Sequence, residues 1–116
     1  MKAVVIVSVI AALAAASPAL SKDYYDKSRD VQRIAWMDRG MEMVRSKLKD
    51  GDSAKFRGVF FSDGGSVPVS CGEVNAKNSF GGYGGFQRFV SAGSRDLTFL
   101  EEQVADFHTV WAQFCR

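Results

Sequence analysis

The chain has 116 residues, with 15 Lys and Arg against 13 Asp and Glu, a formal charge of +2 at pH 7 and one histidine. Acidic and basic residues are interspersed, which argues against a nucleic-acid interface or an electrostatic grip on an anionic membrane, since both need a concentrated basic field. One histidine and two cysteines also fall short of the three or four ligands of a zinc site, so neither a metal nor a cofactor is expected.

Lys2, the apolar stretch from Ala3 to Ala16, Pro18 as a helix stop, and the small residues Ala19 and Ser21 have the three-part layout of a secretory signal peptide. The expected cut follows Ser21. The apolar stretch is shorter than the roughly 20 residues that cross hydrocarbon, so a cleaved signal is preferred to a retained anchor. No stable membrane anchor is expected after cleavage. The reading is a signal over 1–21 and one small domain over 22–116, long enough for one modest core and too short for two. The address is periplasmic or secreted.

Cys71 and Cys115 are the only cysteines, and an even pair without metal-type spacing in an oxidising compartment is read first as a disulfide. On the chain-entropy view, closing so long a loop is worth roughly 4 kcal/mol, comparable to the whole net stability of a small domain. The rival reading is a catalytic thiol at Cys71, for which His108 is the only histidine base.

From Asp26 to Leu48, Val31, Ile34, Met37, Met41, Val44 and Leu48 recur at steps of three and four, the stripe of an amphipathic helix. Gly40 in its middle weakens it by about 1 kcal/mol relative to alanine and marks a close approach by another element. Asp50-Gly51-Asp52 stops it. Phe56–Phe61, aromatic and β-branched, is a first strand, Asp63-Gly64-Gly65 a hairpin signal, and Ser66–Asn75 a second strand with Val67, Val69 and Cys71 on one face. Pro68 removes one ladder donor and belongs at an edge or bulge. Residues 76–82 are expected as a loop, 83–91 as a third strand, and a short fourth strand near Arg95. Thr98 with Glu101 fits a capping box, and Leu100, Val104, Phe107, Trp111 and Phe114 continue at helical spacing to the end of the chain. The fold class is α+β: an N-terminal helix, a three- to four-stranded antiparallel sheet and a C-terminal helix packed on one face of it, with both helices on the same side.

The most unusual stretch runs from Cys71 to Phe89. Asn75, Lys77, Asn78 and Ser79 offer polar groups beside Gly81, Gly82, Gly84 and Gly85, which let a ligand approach the backbone closely. The structural alternative is a twisted hairpin in which Asn75 and Asn78 bond their own turns. Glu73 and Arg88, on neighbouring strands, are placed for a cross-strand ion pair. Candidate binding residues are therefore Asn75, Lys77, Asn78, Tyr83 and Arg88. No paired-carboxylate, HExxH or GxSxG arrangement supports an assigned catalytic residue.

The runs DSAKFRGV at 52–59 and CGEVNAKNSFGGYGGFQRF at 71–89, with the Trp111 and Cys115 ending, resemble a family of small exported, periplasmic proteins of Gram-negative bacteria and their mobile elements. The likeness spans roughly half of the expected mature chain. It implies a periplasmic address and carries no assigned catalytic residue. The leading expectation is a binding or interaction module, with a protein or small ligand in the periplasm as partner, no nucleic acid, and an oligomeric state that the sequence leaves open. The alternatives are a small hydrolase or thiol enzyme using Cys71 or Glu73, and a structural or envelope-stress protein.

Overall fold

The computed structural model of the protein describes residues 18–116, with side chains from 27 onward; the apolar stretch 3–16, and with it most of the expected signal segment, lies outside them. The chain divides into two compact units, one reaching Gln32 and the other covering Arg33–Arg116. In the first unit the backbone is helical from Pro18. Pro18 is the first described residue, and a first helical turn tolerates its missing N–H and fixed φ. Helix α1 is Pro18–Lys47, longer than the 26–48 stripe suggested.

The second unit holds the rest of α1, a 3-10 turn at Gly51–Ser53, strands β1 (Lys55–Ser62), β2 (Val69–Asn75), β3 (Gln87–Ser91) and β4 (Thr98–Leu100), and helix α2 (Phe107–Phe114). The strands form an antiparallel meander in the order β1-β2-β3-β4. The class is α+β, as the sequence pattern implies. β2 begins after Pro68, which leaves the proline out of the ladder it has no N–H to join. The β1–β2 register shifts between Arg57 and Phe60, a bulge on the edge strand.

Alternate residues of a strand face opposite ways, and here both faces are covered. On one, Val74, Phe89 and Leu100 are buried against Val44 of α1, with Met41, Leu48, Phe56 and Val59 around them. On the other, Val69, Cys71 and Val90 are buried against Phe107 of α2, with Phe99, Trp111 and Phe114. The two helices therefore lie on opposite sides of the sheet, which corrects the expectation of a single covered face. The cause is β2, whose residues from Val69 to Gly72 are all buried. A central strand closed on both faces needs a layer on each.

The two layers are built differently. Under α1 the sheet presents small residues: a Cβ on Gly40 would sit 2.6 Å from Ser70 Cβ, so only glycine allows this approach. Ser70 Oγ donates to the Trp36 carbonyl at 2.9 Å. Ser91 and Thr98 hydroxyls pair at 2.7 Å, and Thr98 Oγ1 donates to Ser94 O at 2.6 Å, so these buried polar groups are satisfied. The apolar stripe of α1 meets the sheet at Met41 and Val44, with Leu48 just past the helix end, while Ile34, from the same periodic set, is 54 % exposed.

Under α2 the contact is aromatic and covalent. Phe60 and Phe107 flank Trp111, with ring centroids 6.0 and 6.3 Å away. The Cys71–Cys115 disulfide, spanning 44 positions with Cα atoms 6.0 Å apart, ties the end of α2 to the middle of β2. Ser62 Oγ adds a polar clasp, lying 2.8 and 2.9 Å from the main-chain oxygens of Phe114 and Arg116 and accepting from the Arg116 N–H at 3.1 Å.

Three boundaries differ from the sequence expectation. Thr98 does not cap a helix: its hydroxyl is already committed to Ser91 and Ser94, and Thr98–Leu100 pairs with β3. Leu100 belongs to the cluster under α1, whereas Val104, Phe107, Trp111 and Phe114 pack on the α2 side. The apparent helical spacing had joined a strand residue to a helix stripe. The fourth strand accordingly lies at 98–100, with Arg95 in a 3-10 turn, and β3 starts at Gln87 rather than at 83. Of the segment 83–86, Tyr83 alone makes a β-bridge, to Lys77.

Candidate functional site

The connection between β2 and β3 is held in shape by its own side chains. Asn75 Oδ1 accepts from the Gly85 N–H at 3.1 Å and closes the base. Asn78 Oδ1 accepts from the N–H groups of Phe80 (3.0 Å) and Gly82 (3.3 Å), while the Asn78 N–H donates to Gly82 O at 2.9 Å. This is the local bonding that suits asparagine to turns. The carboxamide oxygens of Asn75 and Asn78 are thus structural, as the twisted-hairpin alternative required.

The loop is also fastened to the segment after α1. The Lys77 N–H donates to Ser53 Oγ at 2.8 Å, the Tyr83 hydroxyl to Ser53 O at 3.1 Å, and Lys49 Nζ to Ser79 Oγ at 2.9 Å. Lys55 Nζ lies 4.6 Å and Lys77 Nζ 5.9 Å from the centre of the Tyr83 ring, so two ammonium groups share one aromatic ring. Asn75, Lys77, Asn78 and Tyr83 are therefore brought together, as a braced loop.

What the loop displays is Phe80, which is 97 % exposed. The sequence pattern missed it, although an aromatic between Ser79 and Gly81-Gly82, with no strand or helix period to absorb it, was a usable signal. Beside it opens a cleft of about 610 Å³. Lys49, Lys77 and Phe80 line it, together with Leu48, and Glu101 and Glu102 bring acidic groups to the same cleft. Lys49, Ser53, Glu101 and Glu102 were likewise not among the candidate site residues read from the sequence, because only the fold brings the end of α1 and the 101–103 turn to this loop.

Arg88 stands apart from the loop. It is directly opposite Glu73 in the ladder, yet the expected Glu73–Arg88 ion pair does not form. Arg88 instead donates to both Glu101 oxygens, through its backbone N–H to Oε1 (3.0 Å) and through Nη2 to Oε2 (2.9 Å). Its guanidinium lies 5.4 and 5.3 Å from the ring centres of Phe107 and Trp111. Glu73 turns to Arg57 at 3.0 Å, whose guanidinium lies 3.7 Å from the centre of the Phe86 ring. Two neighbouring pairs replace the predicted one because each arginine also finds aromatic faces to cover. The Arg88 side-chain hydrogen bond holds the Glu101 carboxyl below its ordinary value of 4.5, helped by the Arg88 N–H and by its charge and opposed by burial. Arg88 thus acts behind the cleft, fixing one of its acidic groups.

The two groups named for a thiol enzyme or hydrolase, Cys71 and Glu73, are both engaged elsewhere. Cys71 is fully buried and disulfide-bonded, and Glu73 is paired with Arg57. His108 lies exposed on α2. Among the described residues no group of three or more His, Cys, Asp or Glu is placed to hold a metal ion, and no helix is long and apolar enough to cross a membrane. The chain matches no protein-family model, no curated protein and no solved structure.

Proposed function

We propose that this chain is a small exported binding module with no chemistry of its own, a member of the Gram-negative exported family that its 52–59 and 71–89 segments resemble, and that it works in the periplasm through the loop from Asn75 to Phe86. The observation that carries this reading is Phe80. A phenylalanine left almost wholly in water contributes no burial to the fold, yet the turn beneath it is braced by Asn78. Aromatic side chains are enriched where proteins meet partners, and a pre-ordered loop loses little entropy on binding. The Cys71–Cys115 disulfide supports the export reading, since such bonds persist in oxidising compartments.

Quantitative affinity capture from periplasmic extract tests the reading. Wild-type protein should retain a partner that Phe80→Ala and Lys77→Ala variants release, with all three melting alike. Equal capture by the three would place the working surface elsewhere. Mass spectrometry of the native protein should find a chain starting at Lys22, and recovery of an intact Met1 form in the cytoplasm would overturn the periplasmic address.

A further inference from the structure

We infer that the partner of this surface is a second copy of the same chain, docked about a two-fold axis through the cleft beside Phe80. The inference rests on the reading of the loop as a contact surface and adds the identity of what it contacts.

A two-fold interface sets a patch against itself, so the patch must be self-complementary. A surface of one sign repels its own copy. Here the cleft is mixed: Lys49 and Lys77 line it together with Glu101 and Glu102. A two-fold rotation is able to set the lysines of each chain against the glutamates of the other. The same acidic groups disfavour an anionic lipid surface, which would attract the lysines and repel the glutamates.

The apolar contribution fits the same arrangement. Phe80 projects 97 % exposed beside a cleft of about 610 Å³, far more than a phenyl ring occupies, and Leu48 and Phe86 offer it apolar contact there. Each chain supplies one aromatic knob and one recess, so reciprocal insertion removes both Phe80 rings from water. The two carboxylates differ in freedom. Glu101 is fixed by Arg88, whereas Glu102 receives no ion pair among the described residues, which makes Glu102 the natural partner of the other chain's Lys77.

Sedimentation velocity on the natively processed protein, disulfide intact, over about 1 μM to 1 mM tests this, a range that covers the weak affinities expected of a small interface. The expected result is a concentration-dependent shift from monomer to dimer that Phe80→Ala abolishes and salt weakens. Lys77→Glu and Glu102→Lys should each remain monomeric, since either change puts two like-charge contacts in a homodimer. Mixing the two variants should restore a dimer, because both contacts are then attractive; recovery in the mixture also excludes misfolding as the reason each fails alone. A wild-type protein that stays monomeric throughout, or variants that do not recover on mixing, overturns the inference. Monomers whose periplasmic capture still depends on Phe80 would sink the self-association and leave the binding reading standing, whereas monomers with Phe80-independent capture would sink both. Phe80-dependent binding to phosphatidylglycerol vesicles without dimer formation overturns it in favour of a lipid surface.

Discussion

The β1–β2 connection carries Gly64 and Gly65, and the β2–β3 connection carries Gly81, Gly82, Gly84 and Gly85, so in composition the two turns look alike. Their surroundings differ. A Cβ on Gly65 would lie 2.5 Å from Gln113 O, and one on Gly64 2.7 Å from Arg116 Cβ, because the end of α2 presses on this turn. A Cβ on Gly82 or Gly84 would meet nothing within 4 Å. The first turn is shaped by what packs against it and belongs to the core's closure. The second is shaped from within, by Asn75 and Asn78, and carries a side chain that the core does not use. Glycine enrichment alone does not separate a packed turn from a displaying one; the neighbours do.

The packed side should be the costly one to disturb. The largest effect is expected at the covalent tie: Cys71→Ser or Cys115→Ser should destabilise by about 2–5 kcal/mol in denaturant unfolding. The double variant should be no worse than either single, and additive losses would show that the sulfurs are not partners. Next, Gly65→Ala should cost about 1–3 kcal/mol, the usual range for forcing atoms into a filled space, whereas Gly82→Ala should stay within about 0.5 kcal/mol. Equal melting temperatures for these two alanine variants would erase the contrast between the turns.

Within the displaying loop, Asn78→Ala removes the acceptor for two N–H groups and should cost about 1 kcal/mol, less where water replaces the bond. Amide exchange at Phe80 and Gly82 should accelerate accordingly, and unchanged exchange would mean that Asn78 does not hold the turn. The smallest effect concerns Glu101. Its carboxyl is held below 4.5 in the folded chain, so the Arg88 pair supports the fold above that pH and its contribution fades as pH falls through the lowered value. The melting difference between wild type and Glu101→Gln should therefore be present at neutral pH and shrink below 4.5. A difference that stayed constant on acidification would contradict the ion pair.

Much of the fold was legible because it is local. The Met41–Val44–Leu48 stripe, the aromatic β1 and the disulfide parity all follow from short-range pattern or simple counting. The second covered face was not, because Ser70 and Gly72 read as neutral positions. Both are buried: Gly40 brings α1 onto Ser70, and the Phe89 ring passes within 3.1 Å of where a Gly72 Cβ would stand. Thr98 misled for a related reason, since a hydroxyl suited to a helix cap serves equally well in a buried pair with Ser91. At the site, the polar residues of the loop were found by composition, and the turns of Asn75 and Asn78 are local, but the fastening of the loop to Ser53 and the approach of the 101–103 turn to the cleft depend on contacts that no local window contains.

That the β2–β3 loop is built for contact and not for packing is tested most directly by Phe80→Ala, with thermal melting and partner retention measured on the same preparation. The melting temperature should stay within about 2 °C of wild type, since a surface truncation away from the core costs little, while retention of the bound partner is lost. A fall of more than about 5 °C, which corresponds to roughly 1 kcal/mol in a domain of this size, would show that Phe80 packs, and undiminished retention at unchanged melting would show that it contacts nothing.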